Sequence, residues 1–303
     1  MKFPNFLIIG AQKAGTTSLY YYLKQHPEIF MLDEKEPRFF ALMGSDLDYR
    51  GPDDPSAKCE YISFSSYKKL FKKVKGEKAV GECSTLYLYS LEAPGNIKKN
   101  IPDVKIIAVL RNPIERAYSN YVYAYQNGHE TIDLFSKALR EEEIRIEEKW
   151  GPLWHYKSKG FYTEQLKRYY ELFSPNQILI FLYDDLKEQP VSVCQKIFRF
   201  LNVDDTFVPD ISYRYNVTGI PKIKWLHRFI RDPSRLKFFY LPIPSKIRNY
   251  IKKGINQLNI SNKQKLKLEF TSEDRKYLKA IYNDEIKSLE KLFNKDLSNW
   301  LYE

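Results

Sequence analysis

A chain of 303 residues, 43% hydrophobic and 16% aromatic, is long and apolar enough to bury a large core, which speaks against dominant disorder. Its net charge of +11 calls for an anionic partner of some kind. No apolar run reaches the roughly 18 residues of a membrane span, and Cys59, Cys83 and Cys194 are an odd, widely spaced set, a poor disulfide framework that fits a reducing compartment.

The first strand is predicted over 5–9, so close to Met1 that no leader is expected and a cytoplasmic location follows. It runs into Gly10-Ala11-Gln12-Lys13-Ala14-Gly15-Thr16-Thr17-Ser18, and a helical pattern covers 15–25. A strand, a glycine turn and a helix start make an anion site, because the unpaired N–H groups and the helix dipole both favour phosphate. In the nucleoside-triphosphate version of this loop a lysine follows the second glycine. Thr16 occupies that position here and Lys13 sits inside the loop, which argues against ATP or GTP hydrolysis.

Beyond the first helix comes the mixed run Asp33-Glu34-Lys35-Glu36, in which Glu36 is either a solvated acid or a proton acceptor. Residues 41–60, with Gly51-Pro52-Asp53-Asp54-Pro55, read as a long surface loop. A strand over 78–81 leads to Glu82, placed at a strand end facing the same cleft. Another over 104–110 leads to Arg111, and Asn112-Pro113 opens a helix over 112–127 that carries Ser119 about two turns in. Further helices are predicted over 131–148, 159–173 and 189–201, with a strand over 177–182.

This alternation gives an α/β class, a single domain with a P-loop-like parallel sheet covered by helices on both faces. Ligands in such sheets bind at the carboxyl ends of the strands, which Lys13 and Arg111 both follow. His26, His129, His155 and His227 show no metal-ligand spacing, and no metal is expected.

Residues 202–222 are irregular. The stretch 222–253 then holds ten basic residues against the single acid Asp232 and interleaves them with Phe238, Phe239, Tyr240 and Tyr250. It is open to two readings: a peripheral contact with the inner membrane surface or an anionic glycan, or aromatics in a core with lysines in water. A charged amphipathic helix runs from about Ser272 to Phe293, opened by Thr271-Ser272-Glu273-Asp274. Residues from about 231 to 303 are expected to form a basic helical extension packed on the domain.

Two motifs in order carry a resemblance. Gln12-Lys13-Ala14-Gly15-Thr16-Thr17-Ser18-Leu19, and a strand ending in Arg111 with Ser119 eight residues on, resemble the sulfotransferases that use 3'-phosphoadenosine 5'-phosphosulfate (PAPS). Lys35-Glu36-Pro37-Arg38-Phe39-Phe40, Gly81-Glu82, Gly160-Phe161-Tyr162 and Phe200-Leu201 extend it over about residues 5–230, most similar to the carbohydrate-modifying, heparan-sulfate-type branch.

The resemblance implies PAPS as co-substrate without a metal. It implies that Lys13, Ala14, Gly15, Thr16, Thr17 and Ser18 hold the 5'-phosphosulfate, that Arg111 and Ser119 clamp the 3'-phosphate, and that Lys222, in a loop over 214–225, adds a phosphate contact. Lys13 would neutralise the leaving phosphate and Glu36 would be the base, with Glu82 as competitor. In the heparan-sulfate-type enzymes a lysine usually follows the latter acid; Cys83 stands here, which touches acceptor chemistry rather than PAPS use. The acceptor would be a saccharide, glycolipid or small alcohol. A nucleotide kinase or NTPase, and a noncatalytic nucleic-acid or polyanion binder, are the competing classes; nucleic acid is not the expected partner.

Overall fold

Phe6–Gly10 forms the central strand β1, and all five of its residues are buried. The computed structural model describes residues 3–44, 48–52, 63–212, 220–221, 260–261, 268 and 270–302. Around β1 lie β2 (Ile29–Met31), β3 (Ala79–Cys83), β4 (Lys105–Leu110) and β5 (Ile178–Leu182), a five-stranded sheet in the order β2-β3-β1-β4-β5. Every pairing in it is parallel, with Phe6 opposite Gly81 on one side and Lys105 on the other. A parallel sheet flanked by helices explains why these strands are apolar runs rather than alternating ones. The Gly81 position admits no side chain: a Cβ there would stand 2.2 Å from the Phe6 ring.

Helices join the strands: α1 (Thr16–Leu23), α2 (Phe39–Leu42), α3 (Phe64–Lys69), α4 (Leu86–Tyr89), α5 (Ala93–Asn100), α6 (Pro113–Gln126), α7 (Phe135–Arg140), α8 (Glu142–Glu147), α9 (Tyr162–Tyr170), α10 (Tyr183–Glu188) and α11 (Pro190–Leu201). Ile220–Pro221 and Ile260–Ser261 pair as a short antiparallel ribbon, β6 and β7. The chain ends in α12 (Ser272–Phe293) and α13 (Asn299–Tyr302).

The helix expected over 131–148 is two. The Glu130 carboxylate accepts the N–H groups of Thr131 and Ile132, both at 2.9 Å, holding that stretch out of the helix, and Glu141 separates α7 from α8. The helix expected over 159–173 starts at Tyr162, after a tight turn at Ser158–Gly160. Ala41 and Leu42, expected in a loop, close α2 with buried side chains. The short edge strand β2 is absent from the sequence reading altogether.

α12 packs on α6 and α9 through Leu278, Tyr282, Ile286 and Leu289, all buried at helical spacing. Its start is a capping box, Thr271 Oγ1 accepting the Asp274 N–H at 3.0 Å and the Asp274 carboxylate accepting in return. Glu285 accepts the N–H and hydroxyl of Thr163 at 2.7 and 2.9 Å, and the Tyr282 hydroxyl donates to the Lys157 carbonyl at 2.7 Å. Among the described residues no helix is long and apolar enough to cross a membrane, and no cluster of His, Cys, Asp and Glu has the makings of a metal site.

Candidate active site

The loop between β1 and α1 is shaped by two left-handed residues, Lys13 (φ 71°) and Gly15 (φ 81°). Glycine adopts that region without penalty, and at Gly15 there is a second reason for it, because a Cβ would meet the Tyr183 ring at 3.0 Å. Lys13 has no such freedom, and a non-glycine residue there costs on the order of 1–3 kcal/mol unless its surroundings impose it. No side chain caps α1 and no acid lies in its first turn, so its N–H groups face the loop without a carboxylate. That arrangement suits an anion. Thr16 is buried, while Thr17 and Ser18 are half-buried beside it.

Arg111 follows β4 and closes on the same loop. Its guanidinium donates to the Lys13 carbonyl at 3.2 Å, lies over the Tyr183 ring at 4.9 Å and stands 3.8 Å from Glu115. The Tyr162 hydroxyl donates to the Arg111 carbonyl at 2.9 Å, which fixes the backbone as well. Asn112 caps α6 by accepting the Ile114 N–H, and Ser119 lies half-buried on that helix, four residues beyond Glu115. The two motifs expected to hold the ends of one nucleotide therefore meet through a direct hydrogen bond.

The Lys13 ammonium lies 4.5 Å over the Tyr123 ring. Burial, then the charges of Arg111 and Lys35, push its pKa down to about 8. A cation placed so that its own neighbours repel it is poised for an incoming anion.

Glu36 stands just beyond β2, also left-handed (φ 63°), with its N–H donating to the Cys83 carbonyl at 2.9 Å. Its carboxylate accepts the N–H and the hydroxyl of Thr85, both at 2.9 Å, and has Lys35 at 3.3 Å and the Arg38 guanidinium at 3.8 Å. Lys35 is close enough to depress Lys13, so Glu36 belongs to the same neighbourhood of charge. Arg38 is left-handed too (φ 56°), giving three strained non-glycine residues around one locus.

Glu82 does not face the cleft, which corrects its expected role as base or acceptor contact. Its carboxyl is fully buried, accepting from the hydroxyls of Tyr67 (3.1 Å), Tyr87 (2.5 Å) and Ser84 (2.8 Å). Burial outweighs those bonds and pushes its pKa up to about 7. Ser84 accepts the Arg38 N–H at 2.9 Å, so Glu82 supports the turn that carries Glu36 from beneath. A side chain with no exposure cannot touch an acceptor. Cys83 is likewise buried, its thiol pushed up to about 12 by desolvation.

Lys222, the loop over 214–219 and 222–225 and the aromatic and basic residues up to 253 lie outside the described residues, as do Cys59 and His227. Sequence reasoning missed Tyr183, Thr85, Tyr123 and Lys159. Tyr183 and Thr85 sit just beyond β5 and β3, where the strand-end rule points to ligands. Tyr123 and Lys159, the latter donating to the Gln12 side chain at 2.6 Å, reach the loop from elements whose packing no local pattern reveals.

Residues 3–216 match the family model described as a sulfotransferase domain. The human bifunctional heparan sulfate N-deacetylase/N-sulfotransferase 3 is 30% identical over 214 residues, covering 67% of this chain and 22% of that protein. The human heparan sulfate glucosamine 3-O-sulfotransferase 6 is 25% identical over 224 residues, covering 74% and 59%. The chain thus aligns with less than two thirds of either relative's length. Among solved structures, a sulfotransferase from Alicyclobacillus acidocaldarius is similar with a TM-score of 0.76 and 31% identity, covering 99% of both chains.

Proposed function

This chain belongs to the sulfotransferase family, and we propose that it moves a sulfuryl group from PAPS to a hydroxyl or amine of a saccharide-type acceptor, releasing 3'-phosphoadenosine 5'-phosphate. The observation that carries this reading is the hydrogen bond from Arg111 to the Lys13 carbonyl. It joins one cation suited to a 5'-phosphosulfate and another suited to a 3'-phosphate in a single rigid constellation, and that pair of groups is what sets PAPS apart from ordinary adenine nucleotides. A saccharide acceptor is supported by the heparan sulfate relatives.

Sulfuryl transfer asks for positioning and charge stabilisation more than for covalent chemistry, as phosphoryl transfer does. The acceptor oxygen forms its bond to sulfur as the bond from sulfur to the 5'-phosphate oxygen breaks, and the electron pair leaves with the phosphate. In this reading Lys13 and the N–H groups at the start of α1 receive that growing charge. Thr17 and Ser18 add hydroxyls from the same turn. Arg111 and Ser119 fix the 3'-phosphate, and Glu36, held by Thr85, takes the acceptor's proton.

The test has two arms. A thermal-shift comparison of 3'-phosphoadenosine 5'-phosphate, ATP with magnesium, and an oligonucleotide should give the largest stabilisation with the first. Sulfate-labelled PAPS offered with a panel of glucosamine-containing and neutral saccharides should then pass label to a sugar. A larger shift with ATP, or label passing only to non-sugar alcohols, contradicts the donor or the acceptor half respectively.

A further inference from the structure

We propose that Arg275, on α12, completes the clamp for the nucleotide's 3'-phosphate, and that the Glu115 carboxylate is the group the phosphate displaces. The proposal rests on the assignment of Arg111 and Ser119 to that phosphate. Glu115 and Ser119 stand one turn apart on α6, and Arg111, which precedes the helix, has its guanidinium 3.8 Å from the Glu115 carboxylate, so Glu115 is the residue common to both. A phosphate held by Arg111 and Ser119 would meet Glu115.

Glu115 already holds two guanidinium groups. One carboxylate oxygen is 3.0 Å from Arg275 and the other 3.8 Å from Arg111. The two arginines are oriented by aromatic faces, Arg275 at 4.5 Å over Phe270 and Arg111 at 4.9 Å over Tyr183. Phe270 in turn stacks on Tyr118 at 4.8 Å, and the Tyr118 hydroxyl donates to the Leu268 carbonyl at 2.5 Å, which docks the entry to α12 against α6. All three side chains of the Arg111–Glu115–Arg275 bridge are less than one third exposed.

Two stacked guanidinium groups that share one carboxylate present their N–H edges to a planar, singly charged anion. A phosphate dianion offers the same edges more charge and one more oxygen, so it wins the exchange. Arg275 lies beyond the segment that matches the family model, residues 3–216. The clamp would thus draw on the C-terminal helix as well as on the matched segment.

The test is calorimetry on full-length wild type, Arg275→Gln, Arg275→Lys and Glu115→Gln, each with 3'-phosphoadenosine 5'-phosphate and with adenosine 5'-phosphate. Arg275→Gln should weaken the bisphosphate about tenfold or more and the monophosphate less than about twofold, the loss expected for one charge-assisted phosphate contact. Arg275→Lys, which keeps the charge and guards against a folding defect, should recover part of the loss. Glu115→Gln should bind the bisphosphate as tightly as wild type or more so. An Arg275→Gln protein that loses both ligands equally, or neither, overturns the proposal, and weaker bisphosphate binding by Glu115→Gln overturns the exchange. If wild type itself fails to prefer the bisphosphate, the donor assignment fails first; if it does prefer it, the Arg275 result alone decides.

Discussion

The Arg111 guanidinium donates to the backbone carbonyl of Lys13 at 3.2 Å, so the residue just after β4 braces the left-handed turn that follows β1. Parallel neighbours β1 and β4 bring their carboxyl ends to one edge, and this bond turns that adjacency into a preorganised site. Preorganised charge is worth more than charge that must be assembled at the moment of reaction.

Arg111→Ala removes the proposed phosphate ligand together with a brace and a repelling charge. Affinity for 3'-phosphoadenosine 5'-phosphate should fall at least about tenfold, and affinity for adenosine 5'-phosphate far less. Because the Arg111 charge helps to depress Lys13, the Lys13 pKa should rise in the variant. Calorimetry across pH measures both effects.

Lys13 carries the clearest pH signature. With its pKa pushed down to about 8 in the folded protein against 10.5 for an ordinary lysine, nucleotide binding should draw a proton onto it and affinity should decline as pH rises through about 8. Calorimetry in buffers of different ionisation enthalpy reads the proton uptake directly.

The same shift fixes the sign of its effect on stability. A lysine whose folded pKa lies below the unfolded one destabilises the fold while protonated, fully below about pH 8, and the penalty fades between 8 and 10.5. Lys13→Met should therefore melt higher than wild type at pH 7 and lose that advantage above pH 10, while sulfuryl transfer falls about 100- to 1000-fold, the loss seen for a preorganised charge stabiliser.

Glu36→Gln keeps the shape and one acceptor for the Thr85 N–H but cannot accept a proton. Single-turnover transfer should fall by about a hundredfold or more with nucleotide affinity nearly unchanged. Full turnover in this variant would take the base role away from Glu36.

Glu82→Gln probes the buried support. Since the folded pKa of Glu82 is raised to about 7 from 4.5, the folded state holds a proton that the unfolded chain has released, and stability contributed by this group is present below about pH 4.5 and lost as pH rises through about 7. Glutamine stays neutral, so the variant should gain melting temperature relative to wild type between pH 5 and pH 8. Transfer should stay closer to wild type than in Glu36→Gln.

The glycine turn after β1, the arginine after β4 and the parallel sheet that carries them were legible because each depends on a short contiguous run. Glu82 was misread because strand position says where a residue sits along β3 and not whether Tyr67 and Tyr87 cover it. The tie of Arg275 to Glu115 spans 160 positions in the chain and depends on how α12 docks, which no local pattern encodes. The late start of α7 escaped for the opposite reason, since the apolar spacing of 131–148 runs on while the Glu130 carboxylate claims the first N–H groups.

The most direct measurement is a calorimetric titration of the wild-type protein, in the absence and presence of magnesium, with 3'-phosphoadenosine 5'-phosphate, adenosine 5'-phosphate and ATP. Two joined phosphate sites, one at the Lys13 loop and one at Arg111, predict that the bisphosphate binds about a hundredfold or more tighter than the monophosphate, with no gain from magnesium. Equal affinity for the two adenosine phosphates, or a magnesium-dependent preference for ATP, contradicts it.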